Sequence, residues 1–449
     1  MRIAFVSGNQ EQMPDPVIPL GLLQVMAACP AHHERAVVDL CFEPAPCRTL
    51  ASRLEELRPE LIALGIRNLQ GNDYGTPDAQ LEHYAALVHT IRSCSDAPLV
   101  LGGSGFSVDP LRLMDLLQGD FGIAGEGEEV FRNLVECHEH GGDAGRVPGL
   151  LRRIDGRVRA NRPRRSFSAL TTLPRPDRRL VDPRHYQQCG TDSVQTKRGC
   201  SMGCTYCAYP RIEGRTSRLR SADEVADEVR EVRDAGAHHF FFVDSVFNLP
   251  PRHAEAVCDA LIARGTPLPW TCYVNPSRFA PRLAERMRQS GCVGFEVGSD
   301  SGSDRVLEQL GKGFGSQHLR DLHRVARDAG LKDCHTFLLG TPDETPDDVE
   351  RTLDLLHDLD PSAAILMVWQ EERVRSTSRL APAQHRSRER LLSRLREACR
   401  DHPRWIVPAL GIRFSQPTFR RLRKLGWTGP LWQYLDQIPA SSALPRRKC

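Results

Sequence analysis

The sequence lacks the features that would mark a membrane, exported or nucleic-acid-binding protein. None of its 449 residues lies in an apolar segment approaching the ~18 residues that a membrane span needs. The apolar run in "MRIAFVSGNQ" is too short for the core of a signal peptide. The formal net charge of +3 is small for a chain of this length and indicates no polyanionic partner. We therefore expect a cytoplasmic protein with no membrane span and no nucleic-acid partner.

The sequence also lacks the cysteine pattern of a disulfide-stapled protein. Its 15 cysteines are odd in number and are spread along a chain without an export signal. Single cysteines such as Cys258 and Cys334 lie inside apolar runs, which is typical of buried, inert thiols. One group departs from this pattern, because Cys200, Cys204 and Cys207 lie close together in "TKRGCSMGCTYCAYP".

The N-terminal part of the chain alternates short apolar runs with amphipathic stretches, as in "RIAFVSG", "PLGLLQVMAAC" and "AVVDLCF". This alternation predicts an α/β domain over residues 1–150, with a Rossmann-like parallel sheet covered by helices on both faces. A ligand of such a sheet binds beyond the carboxyl ends of the strands. No G-x-G-x-x-G loop follows the first strand, which argues against a dinucleotide.

Small and polar residues cluster at the predicted carboxyl ends of these strands. They are Gly8, Asn9, Gly65, Asn68, Gly102, Gly103, Ser104, Gly125 and Glu126. Glycines at these points either let the backbone approach a ligand or serve as ordinary turn residues, and the sequence leaves both interpretations open.

The remainder of the chain predicts a linker, a second α/β domain and a tail. Residues 151–190 are rich in Arg and Pro and contain a hairpin pattern, "LLRRIDGRVRA". Residues 191–375 hold six strand-like runs separated by helical stretches, which predicts a partial (β/α)6 barrel with its chemistry at the carboxyl ends of the strands. Residues 376–449 predict a small helical C-terminal cap, in which Trp432 is expected to be a core anchor.

The best marked helix of the second domain is predicted at residues 222–235. Ser221 and Glu224 have the spacing of a capping box, and Gly236 follows the last turn. The three-cysteine group follows the first predicted strand of this domain.

Three thiolates in one loop indicate a soft metal or an iron–sulfur cluster. A structural zinc ion needs four ligands, and no fourth Cys or His lies at the usual spacing after Cys207. His185 and Cys189, both upstream, are the candidates for a fourth ligand. A four-iron cluster held by three thiolates leaves one iron with an open coordination position, which is where chemistry takes place. Both interpretations are open at this point, and the cluster is favoured.

The motif C-x3-C-x2-C, with Tyr206 before its last cysteine and a six-strand barrel around it, resembles the radical S-adenosylmethionine (SAM) superfamily. The resemblance implies a [4Fe-4S] cluster on Cys200, Cys204 and Cys207, which are then the catalytic and metal-binding residues. It implies that SAM binds the open iron and is cleaved by an electron from the cluster, usually to a 5′-deoxyadenosyl radical. It also implies an external low-potential electron donor of the flavodoxin or ferredoxin type.

Three further segments resemble the same superfamily in the same order: "FFFVDSVFN", "VGFEVGSDSGSDRVLEQLGKG" and "FLLGTPDET". By this resemblance the SAM-binding residues are Tyr206, Asp244, Ser245, Glu296, Ser299 and Gly340. No Gly-Gly-Glu follows the second barrel strand, so the partner of the SAM amino group is not assigned.

The N-terminal half resembles the cobalamin (B12)-binding domain that precedes the barrel in one subclass, through "LVLGGSGFSVDP" and "GDFGIAGEGEEVFRNLV". The resemblance implies that cobalamin binds the strand-end residues given above. The chain lacks the Asp-x-His-x-x-Gly motif after its first strand, which implies a cobalamin whose lower face has no protein histidine.

This subclass implies an enzyme that methylates an unactivated carbon or phosphorus of a small molecule in natural-product or other biosynthesis. Ring closure, epimerisation, sulfur insertion and 3-amino-3-carboxypropyl transfer remain alternatives, the last two with Cys449 as a conceivable acceptor. A tRNA methylthiotransferase would need further cluster cysteines upstream, and a cobalamin sensor would not need the SAM segments. Both are less favoured.

Overall fold

The computed structural model describes residues 1–69, 79–164, 169–182, 186, 191–265, 268–370, 382–413 and 415–437. The chain divides into two compact units. Unit 1 comprises Met1–Gln187, Lys197–Ser201 and Ala208–Arg220, and unit 2 comprises Gln188–Thr196, Met202–Cys207 and Ser221–Cys449. Within these described ranges, no helix is long and apolar enough to cross a lipid bilayer.

Unit 1 is built on a seven-stranded sheet with the order β2-β1-β3-β4-β5-β6-β7. Its strands are β1 Arg2–Ser7, β2 Glu34–Asp39, β3 Leu61–Gly65, β4 Leu99–Gly102, β5 Phe121–Ile123, β6 Leu150–Ile154 and β7 Arg157–Ala160. Its main helices are α1 Leu20–Ala28, α2 Pro46–Leu57, α3 Ala79–Cys94, α4 Pro110–Leu117 and α5 Glu128–Glu139. The first five strands are parallel, which confirms the Rossmann-like prediction.

Alternation along the strands gives this sheet two cores. Ala4 and Val6 of β1 point into one apolar cluster, whereas Ile3 and Phe5 point into the other on the opposite face. The predicted hairpin is present as β6 and β7, and β6 pairs antiparallel with β5, so the hairpin extends this sheet. The domain limits given by the sequence stay predictions.

Unit 2 is built on a parallel seven-stranded sheet with the order β16-β15-β14-β13-β12-β11-β8. Its strands are β8 Asp192–Val194, β11 Phe240–Phe242, β12 Trp270–Val274, β13 Cys292–Asp300, β14 Lys332–Leu339, β15 Ala363–Val368 and β16 Trp405–Ile406. The first six of these in chain order are the six predicted strands, which confirms the partial barrel. The short strand β16 comes from the C-terminal segment and was not predicted.

Helices connect the strands of unit 2. The short helix α6 Tyr209–Ile212 belongs to unit 1. The helices of unit 2 are α7 Ala222–Asp234, α8 Pro251–Ala263, α9 Pro281–Gln289, α10 Asp304–Gln309, α11 Ser316–Asp328, α12 Pro346–Leu359, α13 Pro382–Ala398 and α14 Gln416–Lys424. Helix α7 confirms the prediction at 222–235, but its capping box is wrong, because Ser221 makes no side-chain cap hydrogen bond.

The last described element of the C-terminal segment is a 3-10 helix, Leu431–Gln437, that packs on the barrel sheet. Trp432 lies in an apolar cluster with Cys334 and Ala363 of the neighbouring strands β14 and β15, which confirms it as a core anchor. A Cβ atom on Gly294 of β13 would lie 2.9 Å from the Trp432 ring. The glycine therefore leaves the room that this tryptophan fills.

Candidate active site

The first part of the three-cysteine loop, residues 199–201, is called the first limb here. It lies in unit 1 and is held by backbone hydrogen bonds. It leaves strand β9 Lys197–Arg198, which pairs antiparallel with β10 Arg218–Leu219. Gly199 follows with φ +94°, and a Cβ atom there would lie 2.2 Å from the carbonyl oxygen of Thr216. The Cys200 N–H donates to the carbonyl of Gly214 at 3.1 Å. The turn into Cys200 therefore requires glycine.

A buried ion network lies beside this limb. Arg198 Nη2 donates to Glu128 Oε1 at 2.6 Å, and Arg198 Nη1 lies 3.5 Å from Glu126 Oε1. Arg218 Nη1 donates to Glu126 Oε2 at 2.9 Å. Burial alone would lower the pKa of Arg198, but Glu128, Glu126 and Glu213 outweigh it and raise the pKa. Arg198 is therefore firmly cationic.

The second limb of the loop is Met202–Cys207, which lies in unit 2. It is hydrogen-bonded to the segment after helix α10. The Thr205 N–H donates to the carbonyl of Leu310 at 3.0 Å. Gly311 has φ +67°, and a Cβ atom there would lie 2.6 Å from the carbonyl oxygen of Gly203. The two glycines let the backbones approach closely, which fixes the chain on the N-terminal side of Cys204.

Tyr206, between the second and third cysteines, is tied to the end of β13. Its hydroxyl donates to Asp300 Oδ2 at 2.6 Å, and Lys312 Nζ lies 2.8 Å from the same oxygen. The Asp300 and Lys312 side chains are only 5% and 7% exposed. Burial and the Asp300 charge raise the pKa of Tyr206, so its hydroxyl stays protonated. The Trp369 ring contacts the Tyr206 ring edge-on with centroids 6.2 Å apart.

The cysteines fit an iron–sulfur cluster better than a zinc ion. None of the 13 cysteines in the part of the chain that the structure describes forms a disulfide. Thiolates on one tetrahedral zinc lie about 3.8 Å apart, given Zn–S bonds of about 2.3 Å. The described residues contain two groups of three potential ligands within 4.8 Å, and neither includes Cys200, Cys204 or Cys207. His185 and Cys189, which the zinc interpretation would need, lie outside the described residues.

Two of the predicted SAM residues follow β11. Asp244 is fully buried, and its carboxylate accepts the Thr196 N–H at 2.7 Å and the Thr196 hydroxyl at 2.5 Å. Ser245, the next residue, is partly exposed. Asp244 therefore fixes the segment between β8 and β9, from which the cysteine loop begins, and its contact with SAM stays a prediction.

Ser299 belongs to a buried chain of hydrogen bonds between β13, β14 and α11. Its hydroxyl lies 2.8 Å from His335 Nδ1, and His335 Nε2 lies 3.1 Å from Asp333 Oδ2. His323 Nδ1 lies 2.7 Å from the same carboxylate oxygen. Burial would raise the pKa of Asp333, but the two histidines outweigh it and lower the pKa. The structure thus places Ser299 at the end of a polar chain that the sequence did not reveal.

Glu296 lies in the middle of β13, on the face covered by the C-terminal 3-10 helix. Trp432 Nε1 donates to Glu296 Oε1 at 2.9 Å. Burial raises the pKa of Glu296, although the side chain keeps some accessible surface. Its assignment to SAM stays a prediction, and within the chain its carboxylate is hydrogen-bonded by Trp432 and Tyr273.

Gly340 lies in the turn after β14 with φ +77°. Its N–H donates to the carboxylate of Glu344, which closes the turn "GTPDET". Burial raises the pKa of Glu344 to about 7. The turn that the sequence assigns to SAM is thus shaped by a carboxyl group that titrates near neutrality.

The cobalamin residues predicted from the sequence lie at one edge of the unit 1 sheet, because β1, β3, β4 and β5 are parallel neighbours. Several of them have partners within the protein. A Cβ atom on Gly8 would lie 2.8 Å from the Tyr84 ring, and one on Gly103, with φ +105°, would lie 2.4 Å from the Ile66 carbonyl oxygen. These two glycines are explained by close packing.

Five other predicted residues at this edge have the following surroundings. Asn9 is buried and its side chain bonds to the backbone of the nearby Glu11. Ser104 donates its hydroxyl to a carbonyl in the neighbouring loop at 2.9 Å, and Gly125 has φ +77°. Glu126 is engaged by the arginine network described above, and Asn68 is partly exposed.

Gly65 and Gly102 differ from the other glycines of this edge. They pair with each other in the register of β3 and β4. A Cβ atom on Gly65 would have no neighbour nearer than 3.5 Å, and one on Gly102 would have none nearer than 3.7 Å. Protein packing therefore does not require either glycine. Both distances are ordinary van der Waals contacts, and a ligand held against the backbone is an alternative reason for glycine at these two positions.

Comparison with known proteins identifies the two domains of the chain. The Radical SAM superfamily model matches residues 194–356, and the B12 binding domain model matches residues 12–135. The chain is therefore a radical SAM enzyme. More particularly, it belongs to the radical SAM enzymes with a cobalamin-binding domain, whose cofactors are a [4Fe-4S] cluster, SAM and cobalamin.

Two curated relatives match most of the chain. An uncharacterized methyltransferase of Pyrococcus horikoshii is 26% identical over 346 residues, which cover 76% of this chain and 73% of the relative. Tryptophan 2-C-methyltransferase of Streptomyces laurentii is 26% identical over 419 residues, which cover 78% and 70%. The similarity thus extends over both units of the chain.

Solved structures match the fold as well. The radical SAM methyltransferase TsrM from Kitasatospora setae, with cobalamin and a [4Fe-4S] cluster bound, has a TM-score of 0.83 at 22% identity and covers 97% of both chains. The same enzyme with tryptophan and a SAM analogue has a TM-score of 0.73 at 25% identity, covering 81% of this chain and 72% of that chain.

Sequence reasoning missed several residues that the structure brings to the cysteine loop. Asp300 follows the predicted residue Ser299 directly, and Lys312 lies in the same resemblance segment, so a charged pair after β13 was a visible signal. Arg198 precedes Gly199 in the quoted motif. Its partner Glu128 lies 70 residues away, and no local signal connects the two.

Proposed function

We propose that this enzyme transfers a methyl group from SAM to an unactivated carbon or to phosphorus of a small-molecule substrate. The observation that carries the proposal is that one chain joins a three-thiolate loop to a parallel sheet whose carboxyl edge holds Gly65 and Gly102, two paired glycines that close protein packing does not require. The two relatives that match most of the chain are methyltransferases, which supports this reaction over the alternatives.

In this proposal Cys200, Cys204 and Cys207 hold the [4Fe-4S] cluster. When bound, the cluster supplies the electron that cleaves SAM, and cobalamin supplies the cobalt chemistry of methyl transfer. Tyr206 lies between Cys204 and Cys207 in the sequence. Its hydroxyl donates a hydrogen bond to Asp300 Oδ2 at 2.6 Å, which fixes its position. The chain thus contributes a fixed aromatic side chain beside the cluster, and an external low-potential donor of the flavodoxin or ferredoxin type supplies electrons.

For SAM, we propose the residues identified from the sequence, Tyr206, Ser245, Ser299 and Gly340, together with Asp300. Asp300 adds a carboxylate at the carboxyl end of β13, the position where a barrel places its ligand contacts. Its φ of +60° is a left-handed backbone conformation that few residues other than glycine adopt. Asp244 and Glu296, also identified from the sequence, complete the proposed set, and the contact of Glu296 with SAM is tested in the Discussion.

For cobalamin, we propose the carboxyl edge of the unit 1 sheet. The glycines at positions 65 and 102 carry no side chain that would keep a corrin face from the backbone, and Asn68 follows in the loop after β3. The segment from Gly8 to Pro19 contains no histidine, so a protein imidazole from that loop is not part of the proposed site. The backbone of this edge therefore supports the ligand without a basic phosphate loop.

The test is a product analysis with reconstituted enzyme, hydroxocobalamin, a low-potential reductant and SAM labelled in its methyl group. L-tryptophan is the first substrate to try, because the related TsrM structure contains it. Methyl transfer predicts label in the substrate and joint formation of S-adenosylhomocysteine and 5′-deoxyadenosine. 5′-Deoxyadenosine or methylthioadenosine without S-adenosylhomocysteine would indicate ring closure, epimerisation, sulfur insertion or aminocarboxypropyl transfer instead.

A further inference from the structure

The buried ion network of unit 1 joins two segments that the sequence assigns to different cofactors. Glu126 and Glu128 lie at the carboxyl end of β5 and the start of α5, in the "GEGEE" segment predicted to contact cobalamin. Arg198 lies in strand β9 and Arg218 lies in strand β10. The two residues are opposite each other in this antiparallel pair, which is next to the first cysteine limb. The side chains of Arg198, Glu126 and Glu128 are only 6%, 4% and 5% exposed.

The arrangement uses the geometry of arginine. The two terminal nitrogens of Arg198 reach different carboxylates, Glu128 Oε1 at 2.6 Å and Glu126 Oε1 at 3.5 Å, and Nη2 also donates to Gln24 Oε1 at 2.7 Å. A lysine ammonium is a single point charge and does not present the same planar fork. Glu128 is also the first residue of α5, where a carboxylate is favoured by the helix dipole.

The network continues directly to the cysteine limb. Arg218 bonds to both oxygens of Glu126 and donates to the carbonyl of Glu213 at 2.8 Å. The Glu213 carboxylate in turn accepts the N–H of Gly199 at 3.2 Å. Gly199 directly precedes Cys200. The hydrogen bonds of the ion network therefore reach the backbone next to the cysteine.

We propose that Glu126 and Glu128 are positioning residues for the cluster, which clamp Arg198 and Arg218 and thereby fix the limb that carries Cys200. The proposal rests on the proposed function, since the cluster is its object. Removing one carboxylate would leave a buried arginine charge without its counterion, which destabilises the folded state. Both carboxylates are therefore needed to keep the two arginines in place. Glu126 and Glu128 therefore act through the arginines and do not touch the cluster.

Glu128→Gln is the test variant, since it keeps the side-chain shape and removes the charge. Glu136→Gln is the matched control, because Glu136 lies on the same helix in an exposed pair with Arg132 at 3.9 Å. Hydrogen exchange of the Gly199 and Cys200 amides is measured on the full chain before and after cluster reconstitution. Iron content, SAM cleavage and the electron paramagnetic resonance spectrum of the reduced cluster with SAM are measured on the same samples.

The expected result for Glu128→Gln is exchange at Gly199 and Cys200 at least about tenfold faster than in the wild type, because a buried pair is broken. The reduced cluster should give an altered resonance spectrum with SAM, and cleavage per cluster should fall. Arg198→Lys should show an intermediate effect, and Glu136→Gln none.

Unchanged exchange and an unchanged resonance spectrum in Glu128→Gln would overturn the proposal. So would faster exchange spread evenly over unit 1 with normal cleavage per cluster, because that pattern indicates a general role in stability. A wild-type protein that binds no cluster would instead overturn the proposed function, and the exchange measurement would still decide whether the clamp exists.

Discussion

The pair of Asp300 and Lys312 offers a prediction whose size follows from the structure. Asp300→Asn removes the carboxylate charge, and asparagine tolerates the φ of +60° found at this position, so the backbone is not strained. Lys312, which is 7% exposed, is left as a buried charge without its counterion at 2.8 Å. Breaking a buried pair in this way costs about 3–5 kcal/mol, and the retained amide oxygen favours the lower end, about 3 kcal/mol.

Urea unfolding of the apoprotein, followed by circular dichroism, measures this loss. A second variant, Asp300→Asn with Lys312→Met, removes both charges and should recover part of the stability, because the uncompensated ammonium is gone. The control is Asp321→Asn, which breaks an exposed pair with Arg324 and should change stability by no more than about 0.5 kcal/mol. Wild-type stability in Asp300→Asn would refute the argument that the pair is buried and formed.

Three further predictions concern the cofactor sites and the turn after β14. Gly102→Ala should leave the melting temperature nearly unchanged, because its Cβ atom would lie no nearer than 3.7 Å to a neighbouring atom, but should weaken hydroxocobalamin binding measured by its absorption spectrum. Glu344 has its pKa raised from 4.5 to about 7 in the folded state, so stability should fall as the pH rises across that range, and Glu344→Gln should remove this fall in thermal melts. Glu296→Ala should weaken SAM binding about 10 to 150-fold in a calorimetric titration if the carboxylate binds ribose, since such bonds contribute about 1.5–3 kcal/mol. Unchanged SAM affinity with lowered stability would mean that Glu296 serves only as the partner of Trp432.

The fold was largely predictable because its signals are local. Each strand of the barrel is a short apolar run between polar stretches, and a run such as "CVGFEVGSD" needs no distant information. The hairpin turn was visible as Asp155 and Gly156, which both take positive φ, 47° and 75°. The two-residue strand β16 was not visible, because Trp405–Ile406 is too short to give a pattern.

The site was predictable only where its residues are close in sequence. The three cysteines and Tyr206 lie within one loop, so their spacing indicates their chemistry. The partners of the predicted site residues are distant: Glu296 and Trp432 are 136 residues apart, and Tyr206 and Asp300 are 94 apart. Such contacts depend on tertiary packing, which carries no periodic signal along the chain.

The assignment of single residues was limited for the same reason. Asp244, Ser299 and Glu126 were assigned to cofactors because the segments that contain them resemble the SAM-binding and cobalamin-binding segments of the family. In the structure each of them also bonds within the protein, to Thr196, to His335 and to arginines respectively. A polar residue at a strand end therefore indicates the region of a site, and the hydrogen-bond partners decide its role.

The central claim is that Cys200, Cys204 and Cys207 together hold the cluster that cleaves SAM. The most direct measurement is SAM cleavage by anaerobically reconstituted single variants of the three cysteines to Ala, with iron content and circular dichroism on the same samples. Each variant should keep its fold and lose cleavage completely, because no spare thiolate is assigned to the cluster. Cys258→Ala is the control, since Cys258 is fully buried in α8 and burial raises its pKa to about 12. Full cleavage in any one of the three loop variants would contradict the claim.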